Sequence, residues 1–279
     1  MKPRDLPHPP VAGARAATVK RWRGASLSEG TDWVAEEVPV ALIYNGVSHA
    51  VMLATPADLE DFAIGFSCTE GLVDEPGQIY DIEVKDDANG IAVHLEIASS
   101  CFMRLKDRRR TLAGRTGCGL CGTDSLEQAV RCPMPLARTQ QFAASAVLNA
   151  HAKMREHQTL CGATGATHAA AWCRADGSIV LMREDVGRHN ALDKLIGALK
   201  RTGGEATGIE ATEGFIAVTS RASYEMVQKT ASAGVSLLAA VSGVTALAIE
   251  TADAAGVSLI GFTRGGDFSV YSHPERVIF

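Results

Sequence analysis

Phe215-Ile216-Ala217-Val218-Thr219 is a short run, apolar up to its last residue, that stops at the polar pair Ser220-Arg221, and the chain then repeats its logic twice. A helical stretch over Ser223–Ala233 leads to a second apolar run, Val235–Val241. Another over Val244–Ala255 leads to a third, Val257–Phe262. Short strands without polar alternation, separated by helices, predict a parallel sheet covered on both faces. Gly234 and Gly256 stand where the two helices need a left-handed C-terminal residue. This series fixes the second half of the chain as α/β.

The pattern extends upstream. Thr167–Arg174 and Ser178–Arg183 read as strands joined by Ala175-Asp176-Gly177. After the polar string Glu184-Asp185-Val186-Gly187-Arg188-His189-Asn190 a helix runs to about Arg201, with Leu192, Leu195, Ile196 and Leu199 inward. Gln140–His157 is helical, with Ala143, Ala146, Val147, Ala150 and Met154 on one side. His151 and His157 on that helix lack a partner at metal-ligand spacing and are expected at the surface. In the first half, Asn45-Gly46 between apolar runs predicts a hairpin. Thr55-Pro56 reads as a helix N-cap and first position, followed by the Leu59, Phe62, Ala63, Phe66 face and a stop at Gly71. Strands at Ile79–Lys85 and Ile91–Ile97 complete a mixed sheet, His94 being an exposed strand residue. Pro133 and Pro135 suggest the boundary. The expected organisation is a disordered, basic, proline-rich tail over residues 1–24, a smaller N-terminal mixed β-sheet subdomain over 25–135, and an α/β domain over 136–279.

Composition narrows the functional class. The chain has 279 residues, 46% hydrophobic, with a net charge of −5, which argues against a general nucleic-acid binder. Its seven cysteines are an odd number scattered through apolar segments, so reduced thiols are expected, not a disulfide framework. The start of the chain lacks the apolar core of a signal peptide, and no run reaches membrane-span length. A soluble, cytoplasmic protein is the expectation.

Gly117-Cys118-Gly119-Leu120-Cys121-Gly122 places two thiols three residues apart between glycines. It follows a basic run of Arg104, Lys106, Arg108, Arg109, Arg110 and Arg115, and nearby positive charge favours the nucleophilic thiolate. That run reads equally as a solvated loop. Structural zinc would want four ligands, and the chain has a single CxxC. A thioredoxin-like dithiol should open a helix directly after a strand, which this one does not. Deaminase zinc chemistry needs a glutamate two residues after histidine, where Thr167-His168-Ala169-Ala170 has alanine. The remaining cysteines, 68, 101, 132, 161 and 173, read as core or incidental residues.

Ligands of such sheets bind beyond the carboxyl ends of the strands. There the last apolar strand is followed by Phe262, Thr263, Arg264, Gly265, Gly266 and Asp267. A guanidinium with exposed glycine amides suits phosphate, and the carboxylate suits a guanine edge or a ribose hydroxyl. A hairpin turn before Ser269–Tyr271 explains the same residues, and sequence alone leaves both open.

The glycine-flanked cysteine pair, Thr167-His168-Ala169-Ala170-Ala171, the string Arg183 to Lys194, Val227-Gln228-Lys229 and Gly261-Phe262-Thr263-Arg264-Gly265 occur here in one order. Together they resemble the FdhD family of sulfur carrier proteins required for formate dehydrogenase activity. The resemblance implies a cytidine-deaminase-like three-layer C-terminal domain without deaminase function. It implies a homodimer that takes sulfur from a cysteine desulfurase as a persulfide on Cys118, with Cys121 the second member of the pair and its part open. The sulfur would pass to the molybdenum cofactor, Mo-bis(molybdopterin guanine dinucleotide), before insertion into formate dehydrogenase. Phe262, Thr263, Arg264, Gly265, Gly266 and Asp267 would hold the guanine nucleotide portion, GDP-like in its recognition; no metal site of the protein's own is implied. A dithiol oxidoreductase and a noncatalytic cofactor chaperone are the rival functions. His168 and His189 either line the cofactor pocket or are structural.

Overall fold

A computed structural model describes residues 11–113, 134–136, 140–203 and 210–279. Two sheets with separate apolar cores make up most of it. The larger has six strands: β8 (His168–Arg174), β9 (Ile179–Asp185), β10 (Gly214–Val218), β11 (Leu237–Ala240), β12 (Ser258–Arg264) and β13 (Asp267–Ser272), in the order β13-β12-β11-β10-β8-β9; a two-residue strand β7 (Phe142–Ala143) pairs separately with β14 (Val277–Ile278). The series that opens the sequence reading forms its parallel centre, β10-β11-β12. Antiparallel neighbours β8 and β13 flank it, so the whole is mixed α/β.

Helices cover both faces, as wholly apolar strands require. Between them the elements run α3 (Ala144–His157), α4 (Thr159–Thr164), α5 (Arg188–Thr202), α6 (Tyr224–Ser232) and α7 (Ala246–Ala255). Leu192, Leu195, Met226, Val227, Ala248 and Ala252 of α5, α6 and α7 share one core with Trp172, Ile216 and Leu238. Val147, Ala150 and Met154 of α3 share another with Ala171, Phe215 and Ile260 on the opposite face.

The smaller sheet is β4 (Val47–Ala54), β3 (Val38–Tyr44), β6 (Gly90–Ile97) and β5 (Ile79–Asp87), side by side in that order. Asn45 and Gly46, at φ 45° and 79°, make the expected turn between β3 and β4. Helix α1 (Leu59–Thr69) buries Leu59, Phe62, Ala63 and Phe66 against this sheet.

Three expectations need correction. Residues Ala14–Arg23, assigned to the disordered tail, form strand β1, paired along its length with β2 (Ser26–Ala35) through a turn at Gly24-Ala25. Residues 1–10 lie outside the described part. Charged and apolar residues share both faces of this ribbon, so its sequence carries no period of two. Second, α1 begins at Leu59, after Asp58 at φ 52°, and Thr55 is not its cap. The Thr55 N–H donates to Asp185 Oδ2 and its Oγ1 accepts from the Val186 N–H. Third, the basic run begins on a helix, α2 (Ser99–Ala113), which buries Cys101 and Leu105 one turn apart and leaves Arg104 exposed on Asp74. Arg115, Cys118, Cys121 and Cys132 lie outside the described residues, as do the side chains of Arg108, Arg109 and Arg110.

The two sheets are joined by α1 crossing α5 at glycines. A Cβ on Gly65 would sit 1.8 Å from the Asp193 carbonyl oxygen, and one on Gly197 1.8 Å from that of Asp61. With backbones touching, no other residue type fits either position.

Candidate functional site

The carboxyl ends of β10, β11 and β12 open into a cavity of about 860 Å³, inside the roughly 300–1,000 Å³ range of small-molecule and cofactor sites. Thr219, Val241 and Thr263 to Gly266 form its strand-end wall; α3 supplies Asn149, His151, Met154 and Arg155; Gln158, Cys161, Gly162 and Gly165 close it from α4 and its flanks.

The turn after β12 has both characters left open by its sequence. Gly265 and Gly266, at φ 64° and 92°, connect Arg264 to its cross-strand partner Asp267, so the segment is a hairpin turn. Its Thr263, Arg264, Gly265 and Gly266 also line the cavity. Thr263 is fully buried, yet its Oγ1 has no hydrogen-bond partner among the described residues, and an orphaned buried hydroxyl asks for a bound group. Phe262 and Asp267 are exposed and outside the lining; Phe262, at φ 56°, lies under the Arg264 guanidinium at 5.9 Å and against Gly243. Two cations, Arg155 and Arg264, with the glycine turn between β12 and β13, make a lining suited to a phosphorylated ligand.

Sequence reasoning missed the α3 and α4 side of this cavity. His151, expected at the surface, is half-buried in the lining; its Nδ1 donates to the Val147 carbonyl at 3.1 Å, and burial holds its pKa below the ordinary value. Cys161 presents a half-buried thiol to the same space. No motif marks either residue, because the wall is assembled by tertiary packing.

The string Arg183 to Lys194 turns out to be the clasp between the sheets. Arg183 reaches Asp61 of α1 through Nε at 2.8 Å and Nη2 at 2.7 Å. Glu184 accepts from the N–H groups of Leu160 and Cys161 and from Thr167, fixing the first turn of α4 and with it the Cys161 wall. Asp185 accepts from Thr55, Gly187 and Asn190 and faces Lys194; Asn190 and Lys194 donate to the Leu53 and Thr55 carbonyls. Asp193 binds Thr69 and Lys229. Burial works against charge on Lys229, but Asp193 and Glu70 outweigh it and hold its pKa above the usual value.

His168 and His189 stand near each other beside this clasp, His168 pairing with Asp185 across β8 and β9. His168 opens β8, and burial, then the Arg188 charge, lowers its pKa. His189 Nε2 meets Glu225 Oε2 at 2.7 Å, joining the first turns of α5 and α6. Neither is among the cavity-lining residues. Among the described residues, no group of histidine, cysteine and carboxylate side chains could hold a metal ion, and no helix is long and apolar enough to cross a membrane.

Comparison with known proteins identifies the lineage. The FdhD/NarQ family pattern matches residues 35–278, and the chain belongs to that family. A sulfur carrier protein FdhD from Cupriavidus necator is 57% identical over 276 residues, covering 97% of this chain and 94% of its own. Its counterpart from Bordetella petrii is 53% identical over 273 residues, covering 97% and 96%. A crystal structure from Desulfotalea psychrophila, described as a formate dehydrogenase accessory protein, superposes with a TM-score of 0.71 at 20% identity, covering 95% of this chain and 99% of that one.

Proposed function

We propose that this member of the FdhD/NarQ family is a sulfur carrier serving formate dehydrogenase. The observation that carries the reading is the 57% identity, along nearly the whole chain, to a protein named as a sulfur carrier. In this reading the Cys118 thiolate attacks the outer sulfur of a cysteine desulfurase persulfide. A new sulfur–sulfur bond forms on Cys118, the donor bond breaks, and the donor cysteine leaves as thiolate; no net oxidation occurs. The chain acts as a sulfurtransferase, and the sulfur then passes to Mo-bis(molybdopterin guanine dinucleotide), the cargo, before it enters formate dehydrogenase. The guanine nucleotide end of that cargo occupies the 860 Å³ cavity, where Arg264 and the Gly265-Gly266 turn meet its phosphates. The orphaned Thr263 hydroxyl supports this placement.

Intact mass after incubation with a desulfurase and cysteine tests the carrier step. The expected result is a gain of one sulfur, reversed by reductant and absent in Cys118→Ala. A loss of two hydrogens instead, from a Cys118–Cys121 disulfide, identifies an oxidoreductase. An unchanged mass in a chain that still binds cofactor identifies a chaperone.

A further inference from the structure

Among the described cysteines, Cys161 alone borders the cavity beyond the strand ends. Cys101 and Cys173 are buried, and Cys68 packs on the core of the smaller sheet. Glu184 fixes the Cys161 backbone by accepting its N–H at 2.8 Å, so the thiol keeps its place in the wall. Space adjoins it: a Cβ added to Gly162 or Gly165 of the same wall would meet nothing within 4 Å. The sulfur-carrier chemistry proposed above gives this thiol no part. A second feature marks the space beside it as a binding site. Thr263 is 1% exposed and lines the same cavity, with no hydrogen-bond partner for its Oγ1 among the described residues. A buried hydroxyl of that kind calls for a polar occupant.

The charge of the lining says which occupant. Arg155 and Arg264 both border the cavity, and none of the described residues that line it is a carboxylate. Two guanidiniums without a facing carboxylate raise the local concentration of anions, and a carboxylate is their natural bidentate partner. We propose that Cys161 is a thiolation site for a small disulfide bearing carboxylates, of the glutathione disulfide class, with Arg155 and Arg264 holding those carboxylates. The Cys161 thiolate attacks one sulfur of the disulfide. A sulfur–sulfur bond forms to Cys161, the bond of the small disulfide breaks, and one glutathione leaves as thiolate. Cys161 is oxidised and the small disulfide is reduced by the same electron pair. The adduct then fills the space assigned above to the guanine nucleotide, so thiol oxidation closes the cavity to the cargo. This last consequence rests on the nucleotide reading; the exchange itself does not.

The test reacts the full chain with glutathione disulfide and, separately, with the uncharged hydroxyethyl disulfide. Mass spectrometry follows the Cys161 peptide, and each rate is divided by that of the urea-unfolded chain. The expected result is a preference for the charged disulfide of about tenfold or more, weakened by salt and erased by Arg155→Ala/Arg264→Ala. The hydroxyethyl rate stays unchanged in that variant, because both arginines are exposed and the thiol keeps its setting. Equal rates for the two disulfides, a preference that survives loss of both arginines, or no adduct on Cys161 overturns the proposal. GDP titration then separates the switch from the nucleotide reading. The thiolated chain should bind GDP at least about tenfold more weakly, the adduct having taken a charge-assisted contact from the phosphates. Dithiothreitol should restore binding, and Cys161→Ser treated alike should lose none. A thiolated chain that binds GDP as before overturns the switch. An untreated chain that binds no GDP overturns the nucleotide reading instead, and the exchange stands or falls on the rates.

Discussion

Asp185 and Lys194 face each other at 2.7 Å with no exposure of either side chain, and both also hold the Thr55 backbone of the opposing subdomain. A buried charge that loses its counterion is far costlier than a buried pair replaced together. Lys194→Met is therefore expected to destabilise the chain by about 3–5 kcal/mol, lowering the melting temperature by on the order of 10 °C. Asp185→Asn/Lys194→Met should recover part of that loss. Calorimetry of the single and double variants checks it; a double variant no more stable than Lys194→Met contradicts the pairing.

The α1–α5 crossing gives a second expectation. Gly65→Ala forces a methyl to within 1.8 Å of the Asp193 carbonyl, so the helices must separate and disturb the Asp193–Lys229 contact. A cost of about 3 kcal/mol or more is expected. Gly77→Ala meets nothing within 4 Å and serves as the control, with a change inside about 0.5 kcal/mol. Denaturant midpoints of the two variants distinguish them.

Much of this architecture is legible in the sequence because the β10 to β12 strands are apolar on both faces, which only a covered parallel sheet tolerates. The hairpin at Asn45-Gly46 is legible because the turn demands those residue types. The β1–β2 ribbon is not, since Arg15, Lys20, Arg21 and Arg23 obscure its alternation. Helix α2 is missed for a related reason: Cys101 and Leu105 mark a buried stripe too narrow to stand out within a basic run. At the site, the turn from Thr263 to Gly266 declares itself by arginine and paired glycines. His151 and Cys161 do not, because only folding brings α3 and α4 over the ends of the strands.

His168 gives a pH expectation. Burial is the larger cause of its lowered pKa and Arg188 the next, so the ring stays neutral further into the acid range than an ordinary histidine. Arg188→Gln removes the charge but not the burial. The His168 midpoint, followed by NMR titration, should rise in that variant yet remain below the ordinary histidine value, because the burial persists. A midpoint unmoved by Arg188→Gln contradicts the assignment.

Thiol reactivity can report on the cavity. Burial pushes the Cys68 thiol up to about 11 and the Cys173 thiol up to about 12. At pH 8 their thiolate fractions are therefore about a thousandth or less, and both should resist alkylation. Cys161 is half-buried and faces the cavity that also holds Arg264 and the glycine turn. If a guanine nucleotide fills that space, GDP should slow alkylation of Cys161 in the folded chain while leaving the resistant pair unchanged. Arg264→Ala should raise the GDP concentration needed for protection by about tenfold or more, the worth of a charge-assisted contact to phosphate. If Cys118 is the persulfide carrier proposed above, the same variant should still gain one sulfur from a desulfurase, because that step does not involve the cavity. Peptide mass spectrometry of alkylated samples reads both quantities. Cys161 alkylation that ignores GDP removes the nucleotide from this cavity; loading that fails in Arg264→Ala shows that sulfur uptake depends on this residue.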